Sequence, residues 1–164
     1  MLKLIKSSIL DVHADVVVMS AHPSLLAGSG ISGVIHKAAG PELEGFAKPL
    51  GPLKVGQAVL TPSFNLKAKY IVHSVCPRFY DGLRGEAPAL RAAYANALSA
   101  TDEIEDAESI AFVSMGTGVY RWPVLMAARI AVSELSKSRF DSTFMCLTDE
   151  SIFFAYEHAM TESQ

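Results

Sequence analysis

Two short glycine-rich stretches carry the clearest chemistry in this sequence. In the first, Gly28-Ser29-Gly30-Ile31-Ser32-Gly33, the glycines free the backbone to take positive φ and let a ligand approach the main chain. A helix opening near Ile31 aims its unpaired N–H groups at whatever lies above the loop. The second, Met115-Gly116-Thr117-Gly118-Val119-Tyr120, follows directly on a strand-like run. Loops of this kind form an anion nest from successive main-chain amides and need no lysine, so the expected ligand is a phosphate or diphosphate. The spacing Gly28-x-Gly30-x-x-Gly33 also matches the dinucleotide-binding fingerprint, but its context does not. His22-Pro23-Ser24-Leu25-Leu26 separates the preceding strand from the glycines, and Pro41-Glu42-Leu43-Glu44-Gly45 follows where a second strand ending in an acidic residue is required.

A few side chains stand close enough in sequence to act on such a ligand. His22 carries an imidazole, which can exchange a proton near neutral pH and serve as a base, or can simply hold the ligand by a hydrogen bond. Ser32 can bind phosphate through its hydroxyl and cap the helix. No serine–histidine–acid arrangement or nucleophile elbow surrounds it, so it is not expected to be a nucleophile. His36 and His73 fall in elements that read as buried and are expected to be satisfied core side chains. No His or Cys pair has metal-ligand spacing, and neither metal nor cofactor is expected. Cys76 and Cys146 lie in apolar runs and read as buried reduced thiols. Tyr120 is a lid contact or a core residue. Arg78, Phe79 and Tyr80 could wall the pocket, and Arg121 and Trp122 could do the same or cover the third helix.

These groups need a scaffold, and 164 residues, 50% of them hydrophobic and 19% charged, suit one domain over 1–164. A net charge of -3 leaves no basic footprint for duplex nucleic acid. Lysines interrupt Met1-Leu2-Lys3-Leu4-Ile5-Lys6 before a signal core forms, and no apolar run reaches spanning length, so a cytoplasmic protein without a membrane partner is expected. Oligomeric state is left open. Leu2–Lys6 alternates as a first strand, Ser7–Leu10 turns, and the β-branched run Asp15–Ser20 suits a strand buried on both faces. A helix from Ile31 to Gly40 leads into Pro41–Pro52, read as irregular structure or a short helical turn with loops. Strands at 56–61 and 69–75, a loop at 76–85 and a helix from Glu86 to about Glu103, with Leu90, Tyr94, Ala97, Leu98 and Thr101 on one face, come next. A strand at 109–114, a helix opened by Pro123, a last strand at 143–147 and a helix capped by Asp149 or Ser151 complete the chain. The alternation predicts an α/β fold with three α/β/α layers and a mixed, mostly parallel central sheet of about six strands, its glycine loops facing one crevice.

The order of these blocks resembles a macro domain, the module that binds ADP-ribose and related nucleotides. The likeness runs through Ser20-Ala21-His22, Gly28-Ser29-Gly30, Gly33-Val34-Ile35-His36, Ala38-Ala39-Gly40, Ile71-Val72-His73 with Pro77, and Gly116–Tyr120 with Pro123. It implies a macro-type fold and a cleft lined by Ser8, Ile9, Ala21, His22, Gly28, Ser29, Gly30, Ile31, Ser32, Met115, Gly116, Thr117, Gly118, Val119, Tyr120 and Thr148. The family pattern has an adenine-binding Asp where Ser8 stands, an Asn at His22, often an Asp at Ser32 and an adenine-stacking aromatic near Thr148. The diphosphate cradle is therefore kept, while relaxed base selectivity is expected. His22 and Ser32 become the candidate catalytic positions, because hydrolytic members carry Asn and Asp there. The resemblance implies either a hydrolase removing a group from the distal ribose, by de-ADP-ribosylation or O-acetyl-ADP-ribose deacetylation, or a non-catalytic reader that binds the nucleotide.

Overall fold

The computed structural model describes residues 1–164. Its centre is a six-stranded sheet in the order β1-β6-β5-β2-β4-β3, with β1 at Leu2–Lys6, β2 at Val16–Ser20, β3 at Ala58–Pro62, β4 at Tyr70–Ser74, β5 at Ser109–Val113 and β6 at Ser142–Leu147. All pairings are parallel except that of β3 with β4. That antiparallel edge strand ends on Pro62, where a missing N–H costs no ladder bond to a further strand. Five helices cover the sheet: α1 at Gly30–Ala39, α2 at Glu42–Ala47, α3 at Glu86–Ser99, α4 at Val124–Leu135 and α5 at Glu150–Glu162.

The β2 run shows why both faces must be covered. Side chains alternate along a strand, so Val16 and Val18 join Leu90, Phe112 and Ala128 on the face under α3, α4 and α5, while Val17 and Met19 join Ile35, Leu43 and Ile71 on the face under α1 and α2. No helix is long and apolar enough to cross a membrane.

Most element bounds shift by one or two residues from the sequence reading. Within Pro41–Pro52 the structure takes the short-helix alternative, α2: Pro41 sits at its N-cap, where a proline needs no N–H, and Leu43 and Ala47 are fully buried against the sheet. At its other end, α3 stops at Ser99 rather than near Glu103. Thr101 is buried, but it lies past the helix, its Oγ1 donating to the Leu98 carbonyl at 2.6 Å while its own carbonyl accepts from Arg139 Nη2 at 2.7 Å.

Candidate functional site

Parallel strands place the loops after their C-terminal ends on one side of the sheet, and there the structure has its main cavity, about 550 Å³. It is bordered by the segments following β1, β6, β5 and β2, and it brings together all the sequence-derived ligand residues except one. Met115 is fully buried in the core behind the second glycine loop and does not line the cavity; its backbone N–H donates to Tyr94 Oη at 2.9 Å.

The first loop is built from left-handed backbone. Leu25 at φ 62 is buried and pins the turn, its N–H bonded to the His22 carbonyl at 2.9 Å, and Gly28 and Gly30 take φ 63 and 65. Gly33 has ordinary helical backbone, and its requirement is space: a Cβ there would lie 2.6 Å from the Gly28 carbonyl oxygen. Glu44 of α2 ties the loop down by accepting from Ala27 N–H at 3.1 Å. The helix begins at Gly30 with Ser29 at the N-cap, so Ser32 is not the cap that the sequence suggested; its hydroxyl is buried without a hydrogen-bond partner. The N–H groups of the first turn are left facing the cleft.

The second loop rests on aromatic rings. Gly116 takes φ 90 and packs so closely on Trp122 that a Cβ would come within 2.5 Å of the indole. Trp122 in turn donates from Nε1 to the Pro77 carbonyl at 2.9 Å and packs on Phe79, with ring centroids 5.1 Å apart. Beneath the loop, Ser114 Oγ meets Tyr156 Oη at 2.8 Å and accepts from Thr117 Oγ1 at 2.9 Å. Burial pushes the Tyr156 phenol up to about 12, so it stays protonated as a hydrogen-bonding support. Tyr120 both lines the cavity and packs on the core, with the Arg78 guanidinium 5.6 Å above its ring. Arg78, Phe79, Tyr80, Arg121 and Trp122 do not line the cavity; they hold this loop from behind or stand outside it. The neighbouring loop is fixed by Glu86, whose carboxylate accepts from the N–H groups of Tyr80, Asp81, Gly82 and Arg84 at 2.7–3.0 Å. Burial opposes its charge, but those four bonds outweigh it and hold the acid at about 2.

His22 lines the cavity with Nδ1 engaged by Ser24, accepting from its N–H at 3.1 Å and lying 2.7 Å from its hydroxyl. An Nδ1 that accepts carries no proton, so the neutral ring bears its hydrogen on Nε2. Ser8, at the other end, accepts from Leu10 N–H at 3.3 Å. Sequence reasoning missed Ile152 and Cys146 as lining residues and offered Asp149 only as a helix cap or a substitute for Ser8 at the base, because only the pairing of β1 with β6 brings them beside Ser8 and Ile9. Burial pushes the Cys146 thiol up to about 12, which leaves no thiolate for chemistry. Away from the cleft, His73 and His36 are buried as expected, with rings 6.1 Å apart, but they are only partly satisfied. His73 Nε2 meets Thr61 Oγ1 at 2.9 Å, whereas His73 Nδ1 and His36 Nε2 have no partner.

Glycine loops that border a cleft at the C-terminal ends of parallel strands, in three α/β/α layers, place the chain among the α/β domains whose ligand crevice lies at that edge of the sheet. Comparison with known proteins gives the family. The macro domain model matches residues 18–131. A macro domain-containing protein of Ralstonia nicotianae is 36% identical over 99% of this chain and 96% of its own. An O-acetyl-ADP-ribose deacetylase of Enterobacter cloacae is 36% identical over 97% and 93%. Among solved structures, a glycine-to-valine mutant of the Oceanobacillus iheyensis macrodomain with ADPR superposes with a TM-score of 0.90 at 29% identity, covering 99% of this chain and 92% of the other. This chain belongs to the macro domain family.

Proposed function

We propose that the cleft binds ADP-ribose with its diphosphate against the two glycine loops, and that the protein hydrolyses a group from the distal ribose of an ADP-ribose derivative. The observation that carries this reading is the composition of the wall: no Lys or Arg is among the 23 lining residues. A diphosphate is then held by main-chain N–H groups, which the left-handed glycines and the first turn of α1 supply. The similar structure holding ADPR supports the ligand, and the deacetylase relative supports the chemistry.

The reaction fits a site that positions water. For an acetyl ester, water oxygen bonds to the carbonyl carbon, the ester C–O bond breaks, acetate leaves, and of the two water protons one ends on the ribose oxygen and the other passes to solvent. With Nδ1 occupied by Ser24, His22 offers Nε2–H as a donor to a ribose oxygen and has no free lone pair to take a proton from water. No carboxylate lines the glycine-loop end, so the phosphate oxygens of the ligand orient the nucleophile and the protein contributes geometry. The same lack of a base favours the second reading, a binder without chemistry. Calorimetric titration with ADP-ribose, followed by turnover assays on O-acetyl-ADP-ribose and on ADP-ribosylated protein and nucleic acid, separates the two. Binding without turnover leaves the reader, and absence of binding overturns both.

A further inference from the structure

We propose that Asp149 reads the base of the bound nucleotide, favouring one that presents an amino group over one that presents a carbonyl at the same position. The inference rests on the ADP-ribose reading above. In the order β1-β6-β5-β2, the cleft crosses three strand spacings, about 14 Å. The glycine loops follow β2 and β5, so a diphosphate held there sends the base toward the ends of β1 and β6, which pair through Lys6 and Leu147.

Asp149 stands at that end and is the one carboxylate among the residues lining the cleft. Its Oδ1 is committed to the start of α5, accepting from Ser151 Oγ at 2.5 Å and Ile152 N–H at 3.1 Å. Those two bonds, with a smaller pull from the Ser151 main-chain N–H, hold the acid below the usual carboxylate range. Oδ2 makes no bond within the protein, which leaves an ionised, acceptor-only atom for a ligand. It repels a phosphate or a carbonyl oxygen and accepts from an exocyclic amino group. Ile9 and Ile152 give the same end apolar surface for a flat ring. Ser8, whose oxygen already accepts from Leu10 N–H, has its own hydrogen left to donate to a ring nitrogen. The neighbouring Glu150 is turned to Lys6 at 3.7 Å and does not line the cleft. Base reading thus sits at the β6–α5 junction, which revises the expectation that a serine at position 8 relaxes it.

The helix cap makes the test sharp. In Asp149→Asn the amide oxygen takes over the cap, an exchange helix N-termini accept well, and the amide nitrogen then replaces Oδ2, turning an acceptor into a donor. In Asp149→Ser the cap is kept and the reading atom is removed. Titrate all three proteins with ADP-ribose and with its hypoxanthine counterpart, and record thermal unfolding to show that each is folded. The wild type should bind ADP-ribose at least fivefold tighter than the hypoxanthine form, Asp149→Asn should lose or invert that ratio, and Asp149→Ser should bring it near one. Equal wild-type affinities, or a ratio unchanged in either variant, overturn the role of Asp149 while ADP-ribose binding stands. Failure of the wild type to bind ADP-ribose overturns the underlying reading, and this inference with it.

Discussion

Gly33→Ala is the smallest perturbation that should damage the proposed phosphate site without touching a ligand atom. Its Cβ would sit 2.6 Å from the Gly28 carbonyl oxygen, and since such contacts do not go below 3.0 Å, helix and loop must part by at least 0.4 Å. Overpacking of this kind costs about 1–3 kcal/mol, which in a chain of this size lowers Tm by roughly 2–10 °C. The strain is relieved where the structure is softest, by displacing the loop around Gly28. Binding requires the original loop, so part of the relaxation energy is subtracted from affinity; about 1.4 kcal/mol of it weakens ADP-ribose binding tenfold. Gly85→Ala, away from the cleft, is the control. Nothing lies within 4 Å of its Cβ, and only its φ of 76 resists, at roughly 1–2 kcal/mol, so it should lower Tm and leave Kd unchanged. Calorimetric titration alongside thermal unfolding reads both quantities. A folded Gly33→Ala protein with wild-type affinity would refute the argument that the Gly28–Gly33 approach sets the phosphate cradle.

Three further outcomes are expected. Gly118 has open space around its Cβ position and lines the cleft, so Gly118→Glu should keep Tm and abolish ADP-ribose binding by placing an anion against the phosphates; retained binding by titration would remove the second loop from the site. If His22 acts as an Nε2–H donor, His22→Ala should weaken binding or turnover by less than tenfold, whereas a loss of about 10²- to 10⁴-fold in turnover alone would make it the general base. Finally, burial and, to a lesser degree, the nearby His36 lower the His73 pKa from 6.5 to about 4, and burial lowers that of His36 as well. His73 is therefore neutral when folded and charged when unfolded between pH 6.5 and about 4, so its stabilisation is complete above 6.5 and is lost as pH falls toward 4, and the lowered His36 acts in the same direction. For His73 the loss approaches about 3 kcal/mol at the bottom of that window. Urea unfolding should show stability falling from pH 6.5 to 5, and a flat profile there would contradict the buried neutral pair.

What was legible in the sequence follows from which requirements are local. A left-handed turn or a tight backbone approach excludes side chains at a single position, so Gly28, Gly30, Gly33 and Gly116 announce themselves residue by residue. The run Val16-Val17-Val18 likewise states that its strand is covered on both faces, and the resulting sheet fixes which loops share a crevice. The polarity of that crevice is not local. Asp149 reads in the sequence as a helix cap and is one, but it also lines the cleft only because Lys6 and Leu147, 141 positions apart, lie side by side in the sheet. Met115 shows the converse. It stands inside a ligand-loop motif, yet it falls on the same face as Phe112 and Tyr94, and its side chain fills the core while only its neighbours reach the cleft. Motif spacing therefore located the glycine loops that border the cleft, and the proposed binding rests on their main-chain donors. The side-chain half, one carboxylate at the far end and a histidine whose proton is placed by Ser24, depends on contacts that only the assembled sheet and loops create. That division also sets the order of experiments: glycine substitutions test the part the backbone dictates, and Asp149 and His22 test the part that side chains supply.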